Sequence, residues 1–424
     1  MEPIHALSSG LPPCGVAVIR MSGTGVFDIA QKLIGAGDLP GPRQAALRAL
    51  LRPSDGKLLD RALMLTFAAP ASFTGEDVVE LHCHGSVAVV AGVQAALTSL
   101  GSRPAQAGEF TRRAFEAGRL DLTQAEALSD LIAAETESQR DQALAQAGGR
   151  LRSLAEKWRT QLIDISAELE SGLDFSDEAD VAENALAASR SSVALQQLAA
   201  DMAQALATTG MAERIRHGLT IAIIGPPNAG KSSLLNSLIG REAAIVTPLA
   251  GTTRDVIEVH LDLAGRAAVL LDTAGIRDTD DPVEAEGISR ARARAAAADL
   301  VIDMGPGGNV VNGIDKTGER PGRRDGRTYV SARTGEGLAD LIQWLTDWAE
   351  EQIPSGEPPV VTTARQKQLV EDACIHVREA AGHGDPVLAA EALRSAAVAL
   401  GQLTGQIDPE TILGAIFSRF CIGK

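Results

Sequence analysis

The chain has 424 residues, enough for two to four domains, and its 45% hydrophobic and 22% charged content is that of a globular protein. A net charge of −16 argues against nucleic acid binding as its dominant role, so any RNA contact is expected to be shared with a partner. The four cysteines form no C-x-x-C pair, the start "MEPIHALSSGLPPCG" is neither basic nor apolar enough for a signal peptide, and no apolar run reaches about 18 residues, so we expect a reduced, cytoplasmic protein that spans no membrane.

Residues 1–118 mix short β-like runs with turns. "GVAVIRMSG" (15–23), "ALMLTFAAP" (62–70) and "DVVELHCHG" (77–85) read as strands, and "SVAVVAGVQAALTSLG" (86–101) as a helix. This is an α+β domain. From Leu122 the texture turns helical, with Thr123 and Glu126 as a capping box. It stays helical to about Thr209, with breaks near Gly148–Gly149 and at "LDFSDEAD" (173–180).

From Gly218 the pattern becomes strand-loop-helix. "LTIAIIG" (219–225), "AAVLLDTAG" (267–275), "ADLVIDM" (298–304) and "RTYVSA" (327–332) are apolar runs of the kind buried in a parallel sheet. Helices start at Gly230 and Gly337, so the unit is doubly wound α/β. After the Pro-rich link 353–363, three helices are expected over 364–382, 385–405 and 408–420, two of them with Asp-Pro starts. Helices on both sides of the α/β unit imply one helical domain into which that unit is inserted.

"GPPNAGKSS" (225–233) matches G-x-x-x-x-G-K-[ST] and lies between a strand and a helix, the context that makes the motif specific. Its backbone N–H groups, across Asn228, Ala229 and Gly230, would face phosphates. Lys231 would reach the β and γ phosphates, and Ser232, next to Ser233, would ligate Mg²⁺. In "LLDTAG" (270–275), Asp272 would hold the metal through water and the Gly275 N–H would meet the γ-phosphate. "GTTRD" (251–255) between them offers Thr252 or Thr253 to close over the metal. These elements in this order specify a nucleotide triphosphatase. Ile276 follows the D-x-x-G and cannot orient water, so another group must; acidic candidates lie in "RDTDDPVEAEG" (277–287).

Guanine readers carry Asn-Lys-x-Asp at a strand end, where the Asp accepts from the N1–H and exocyclic amine of the base. "VVNGIDKTG" (310–318) has Asn312 and Asp315 at that spacing, but Gly313 stands at the lysine position. "SAR" (331–333) supplies Ser331 and an Ala332 N–H for the base oxygen. Only "GPGGN" (305–309) precedes this stretch, where a complete G domain has a helix. The reading is a weakened guanine site.

Several long motifs then carry a resemblance. "SFTGEDVVELHCHG" (72–85), "GEFTRRAFEAGRLDLTQAEAL" (108–128), "GPPNAGKSSLLN" (225–236), "IVTPLAGTTRD" (245–255), "DTAGIRDT" (272–279) and the ending "FCIGK" (420–424) resemble the MnmE (TrmE) family of tRNA modification GTPases, along essentially the whole chain. The resemblance implies an N-terminal tetrahydrofolate-binding and dimerisation domain (1–118), a discontinuous helical domain (119–214 and 354–424) and an inserted P-loop G domain (215–353). It implies a homodimer that works with an FAD-dependent MnmG-type protein on C5 of the wobble uridine of certain tRNAs. GTP, Mg²⁺, K⁺ and a tetrahydrofolate derivative are the implied cofactors.

Carried over by residue, Asn228, Thr247, Leu249 and Thr252 match the K⁺ site, Ser232 and Thr253 the Mg²⁺ ligands, and Glu284 the glutamate that positions water beside the catalytic Lys231. Arg20, Glu80, Arg119 and Lys424 match the folate contacts, Arg119 standing where lysine is frequent. Cys421 is a candidate functional thiol, with a buried small residue as its plain alternative. "HCH" (82–84) offers His82 and His84 on one strand face, but a structural or substrate-lining role is favoured over zinc. The alternatives are a GTPase switch or assembly protein without one-carbon chemistry, and a family member with an impaired guanine site.

Overall fold

The computed structural model describes residues 1–174, 181–239, 245, 258–272, 296–383, 385–407, 420 and 423. The chain divides into two compact units, Met1–Ser129 with Gly401–Lys424, and Asp130–Leu400. It is a multidomain protein of α/β and helical parts.

The first unit is built on a six-stranded sheet. Its strands are β1 (Ile4–Leu7), β2 (Cys14–Ser22), β3 (Ala46–Leu51), β4 (Leu58–Phe67), β5 (Val78–Gly85) and β6 (Arg103–Pro104), in the order β3–β4–β5–β2–β1–β6. Alternation in β2 sends Ala17, Ile19 and Met21 inward and leaves Val16, Val18 and Arg20 on the other face. The inner face is closed by the helices Val26–Ile34 and Val87–Ser99, whose Leu33, Val93 and Leu97 pack on Ile19, Met64 and Leu81. The expected strands 15–23, 62–70 and 77–85 are β2, β4 and β5. β3 was not read from its sequence because "ALRALL" is made of helix formers; pairing with β4 overrides that propensity.

His5 on β1 is 1% exposed and its Nδ1 lies 3.0 Å from Ser102 Oγ. Burial lowers its pKa from 6.5 to about 4. Between those values the unfolded chain binds a proton that the folded chain refuses, so stability falls as pH drops from 6.5 towards 4 and levels off below. A pH series of urea midpoints is expected to show up to about 3 kcal/mol lost over that window, and His5→Gln should flatten that part of the curve.

The second unit contains the helices Glu137–Ala147, Arg150–Asp174, Val181–Leu206, Thr209–His217 and Ala364–Gly382, and most of Pro386–Thr404. Trp158 is fully buried in this helical part. Asp385 caps the last helix by accepting from the Val387 N–H at 2.8 Å, with Pro386 as its first residue. The expected box of Thr123 and Glu126 is corrected. The helix Leu122–Ala133 is capped by Asp121, whose Oδ1 accepts from the Gln124 N–H at 2.9 Å while Gln124 Oε1 accepts from the Asp121 N–H at 3.1 Å. Asp is the better acceptor at that position and starts the helix a turn-half earlier. The expected helix over 408–420 lies outside the described residues, apart from Phe420.

The α/β part of this unit holds β7 (Leu219–Ile224), β8 (Glu258–Asp262), β9 (Ala267–Asp272), β10 (Leu300–Asp303), β11 (Val310–Asn312), β12 (Gly322–Arg324) and β13 (Arg327–Val330). They form two sheets, β10–β7–β9–β8 and β11–β13–β12. The division has a physical cause. A strand returning parallel to its predecessor needs a crossover of about a dozen residues, and only 304–309 separate β10 from β11.

Asn309 fills the break. Its Nδ2 donates to Val301 O at 2.7 Å, its Oδ1 accepts from the Asp303 N–H at 2.8 Å, and its carbonyl accepts from the Thr328 N–H at 2.8 Å. One side-chain amide thus satisfies the edge of β10 where a neighbouring strand would lie. Asn309→Ala strips both edge partners and is expected to cost about 1–3 kcal/mol, read as a shift in the denaturant midpoint.

Candidate functional site

The candidate nucleotide site lies at the C-terminal ends of β7, β9, β11 and β13. The register pairs Ile223 with Asp272, which sets the backbone of the D-x-x-G aspartate beside the start of the phosphate loop. The loop itself is shaped by left-handed backbone at Asn228 (φ 65°) and Gly230 (φ 88°). Lys231, 8% exposed, opens the helix Lys231–Ile239 and folds its Nζ back onto Gly225 O at 2.7 Å and Pro226 O at 3.1 Å. Carbonyl oxygens hold the ammonium where phosphate oxygens would replace them. Ser232 and Ser233 lie exposed on the first helical turn.

The guanine-side residues are tied to this loop. Asn312 donates from Nδ2 to Ala229 O at 3.1 Å and accepts at Oδ1 from the Ala332 N–H at 3.0 Å. One amide therefore links the phosphate loop, the end of β11 and the "SAR" loop. Gly230 is required by this contact, because a Cβ there would land on Asn312 Nδ2. Asp315 begins a short helical turn, Ile314–Thr317. Its Oδ1 accepts from Ser331 Oγ at 2.7 Å, and its Oδ2 accepts from Arg333 Nε at 2.9 Å. The Ser331 hydroxyl and the Arg333 guanidinium hold the Asp315 carboxyl below the usual carboxylate range. Its side chain is 7% exposed.

Gly313, at the lysine position, adopts φ 89° and donates its N–H to Val330 O at 3.0 Å. A Cβ there would meet nothing within 4 Å. The missing lysine therefore leaves open space but does not displace Asn312 or Asp315, which backbone and side-chain bonds fix independently. Arg333 is the participant that the sequence motif did not single out. Its role as the Asp315 partner depends on the β13 end turning back, through the Ser331 N–H bond to Glu336 O.

A second cluster lies on the N-terminal unit. Arg20 on β2 and Glu80 on β5 are paired in register, and Arg20 Nε reaches Glu80 Oε1 at 2.9 Å. His82 Nε2 lies 3.4 Å from Glu80 Oε2. The Arg20 guanidinium lies 5.9 Å from the ring centres of both Phe73 and Phe110. Arg119 is exposed and runs its stem past Gly75. His84 turns the other way along the strand, with Nδ1 2.7 Å from Asp60 Oδ1. Burial of Asp60 raises its pKa, but the His84 N–H and ring and the Arg61 N–H outweigh it, leaving the carboxyl below its usual range. Each histidine of "HCH" lies against a carboxylate, and among the described residues no three metal-ligating side chains come together.

The quoted motifs "SFTGED" and "GEFTRRAF" acquire a structural account. Arg113, 4% exposed, donates to Glu76 Oε2 at 3.0 Å and Glu109 Oε1 at 2.9 Å, and Arg103 adds 2.9 and 2.7 Å bonds to Glu109. Burial pushes the Glu109 pKa up, but the bonds from Arg103, the Gln106 N–H and Arg113 bring it down to about 2. The described cysteines Cys14, Cys83 and Cys374 are free, and burial pushes the Cys83 thiol up to about 12. Thr247, Leu249, Thr252, Thr253, Gly275, Glu284, Cys421 and Lys424 lie outside the described residues.

Comparisons agree along the whole chain. A family model described as GTP-binding protein TrmE N-terminus matches residues 3–119, and one described as MnmE helical domain matches 122–421. A tRNA modification GTPase MnmE of Rhodopseudomonas palustris is 47% identical, covering 100% of this chain and 99% of the relative. Those of Rhizorhabdus wittichii and Azorhizobium caulinodans are each 48% identical, covering 100% of this chain and 97% and 99% of theirs. The three alignments run over 441, 434 and 437 residues against 424 here, so the relatives carry residues that this chain lacks. With two family models end to end and relatives at this identity over its full length, the chain belongs to the MnmE family of tRNA modification GTPases, enzymes that hydrolyse GTP.

Proposed function

We propose that the protein is a K⁺-dependent GTPase that, with an FAD-dependent partner, modifies C5 of the wobble uridine of certain tRNAs using a tetrahydrofolate one-carbon unit. The observation that carries its guanine half is Asn312 bridging Ala229 and Ala332 while Ser331 and Arg333 hold Asp315 ionised. A carboxylate in that state accepts the paired N–H donors of guanine and finds no such pair on adenine. Entry of the base requires Arg333 to yield Asp315 Oδ2, and at 74% exposure its side chain has room to move.

Lys231 trades the carbonyls of Gly225 and Pro226 for phosphate oxygens and stabilises charge as it develops. The Ser232 hydroxyl, exposed beside Lys231, fits a Mg²⁺ ligand, with Thr253 as the second and Asp272 acting through water. Asn228, with Thr247, Leu249 and Thr252, would hold K⁺, and Glu284 would orient the water. Both ions, when bound, would supply positive charge that offsets that of the phosphates. In the N-terminal unit, Arg20, Glu80 and Arg119, with Lys424, would hold the folate. Arg20 beside the exposed ring of Phe73 makes a polar and flat-sided surface that suits a heteroaromatic ring, and the buried ring of Phe110 backs the guanidinium. Domain limits at 1–118, 119–214, 215–353 and 354–424, a homodimer and a cytoplasmic location complete the reading. Among the described residues no helix is long and apolar enough to cross a membrane.

GTP and ATP binding and hydrolysis in K⁺ and then Na⁺ buffer test it. GTP-selective turnover that rises in K⁺ is expected. Equal handling of GTP and ATP would favour the second reading, a family member whose guanine site is impaired at Gly313. GTP selectivity without folate binding would instead favour a switch protein without one-carbon chemistry.

A further inference from the structure

The hairpin of β12 and β13 carries a charge arrangement that the nucleotide site does not use. Among the described residues β12 is an edge strand of its sheet, and the hairpin closes through the two-residue turn Asp325–Gly326, with φ of 50° and 75°. The register sets Arg324 directly opposite Arg327. Like charges facing each other across two strands are destabilising. Among the described residues neither has a carboxylate within ion-pair distance, nor do Lys316, Arg320 or Arg323; of the nearby cations only Arg333 is paired, to Asp315.

None of the hydrogen bonds these arginines make among the described residues is to a carboxylate, although Asp325 sits in the turn and Asp340 lies beside Gly322. Arg324 donates to Arg320 O at 2.6 Å, Arg323 to Thr328 Oγ1 at 3.0 Å, and Arg327 reaches Gly307 O at 3.5 Å. Two of the guanidiniums are stacked on rings: Arg323 lies 4.1 Å from the centre of Trp344, and Arg324 3.4 Å from that of Tyr329. Stacking fixes a guanidinium plane without consuming its N–H donors, so the donors are pre-organised for an incoming anion. Guarding an edge against strand pairing needs charge, but not two directly opposed arginines with no carboxylate in ion-pair distance.

We propose that this hairpin, through Arg320, Arg324 and Arg327, is a contact surface for the phosphate backbone of RNA. The inference rests on the tRNA reading above and adds a place for the contact. A chain of net charge −16 repels a polyanion at long range, so RNA contact has to be focused on a local basic patch such as this one. Closely spaced arginines match successive phosphates, which both attract them and relieve their mutual repulsion.

The test is fluorescence anisotropy of labelled tRNA with the full-length protein, from about 50 to about 200 mM KCl. The double variant Arg324→Ala/Arg327→Ala is expected to bind tRNA about 10–100-fold more weakly at low salt, and to lower the slope of log affinity against log salt by about 1.5. Arg324→Lys/Arg327→Lys should recover most of the affinity, because a phosphate reads charge. Basal GTP hydrolysis should not change, which controls for folding. Equal affinity and slope for wild type and double alanine variant would overturn the proposal, and so would an absence of tRNA binding by the wild type. Unchanged tRNA binding with lost binding to the FAD-dependent protein would assign the hairpin to a protein partner and also overturn it. The tRNA reading is read separately, from the wobble nucleosides of cells lacking the protein: loss of the modification there upholds that reading even if the hairpin proposal falls.

Discussion

Replacing Lys231 by alanine is expected to lower GTP turnover by about 10²–10³-fold, the usual cost of removing one pre-organised donor aimed at developing charge. The side chain is buried and already gathered by Gly225 O and Pro226 O, so the ammonium needs only a short movement to reach a phosphate. Those carbonyls also mean that the loop is stabilised by Lys231. The alanine variant should therefore lose loop order as well as turnover. Single-turnover hydrolysis separates the two, since a loss in the chemical step persists at saturating GTP while a loss of loop order appears in the affinity. Turnover within a few-fold of wild type would remove Lys231 from its assigned role.

Gly230→Ala should be nearly as severe, for a steric reason. The position has φ 88°, which costs a non-glycine residue about 1–3 kcal/mol, and the added Cβ would land on Asn312 Nδ2. Asn312 would have to leave, breaking its bond to Ala229 O and with it the link between the phosphate and guanine loops. Guanine nucleotide affinity is expected to fall by about 100-fold or more, corresponding to about 2.7 kcal/mol. The two residues should be coupled. In an Asn312→Ala background the clash is gone, so Gly230→Ala should cost much less there than in the wild type. Additive effects in that cycle would mean that strain at Gly230 alone decides the outcome.

The two questions raised by "VVNGIDKTG" have different answers. Gly313 is a local change: the space for a side chain is open, and Asn312 and Asp315 are held by partners that do not involve it. The short connection 304–309 has a larger consequence, because it divides what would be one sheet into two. Asn309 then supplies from a side chain the hydrogen bonds that a strand would have supplied from its backbone. The guanine-side residues stay attached to the phosphate loop because Asn312 bridges directly to Ala229, and not through the sheet.

By itself the sequence determined the class of chemistry and the order of the parts. The phosphate loop, the D-x-x-G and the Asn-x-x-Asp spacing are local patterns, and each works through backbone geometry that its own residues specify. The apolar runs likewise placed β2, β4, β5, β7, β9, β10 and β13, since burial of alternate or continuous residues leaves a periodic trace. Only the tertiary structure decided which distant residues meet. The hold of Arg333 on Asp315, the flanking of Arg20 by Phe73 and Phe110, and the opposition of Arg324 to Arg327 depend on strand register and chain reversal, which no short motif encodes. The same holds for β3, where a helix-forming sequence is made a strand by the partner beside it, and for Asn309, whose side chain serves the edge of β10 while its carbonyl continues the pairing of β11 with β13.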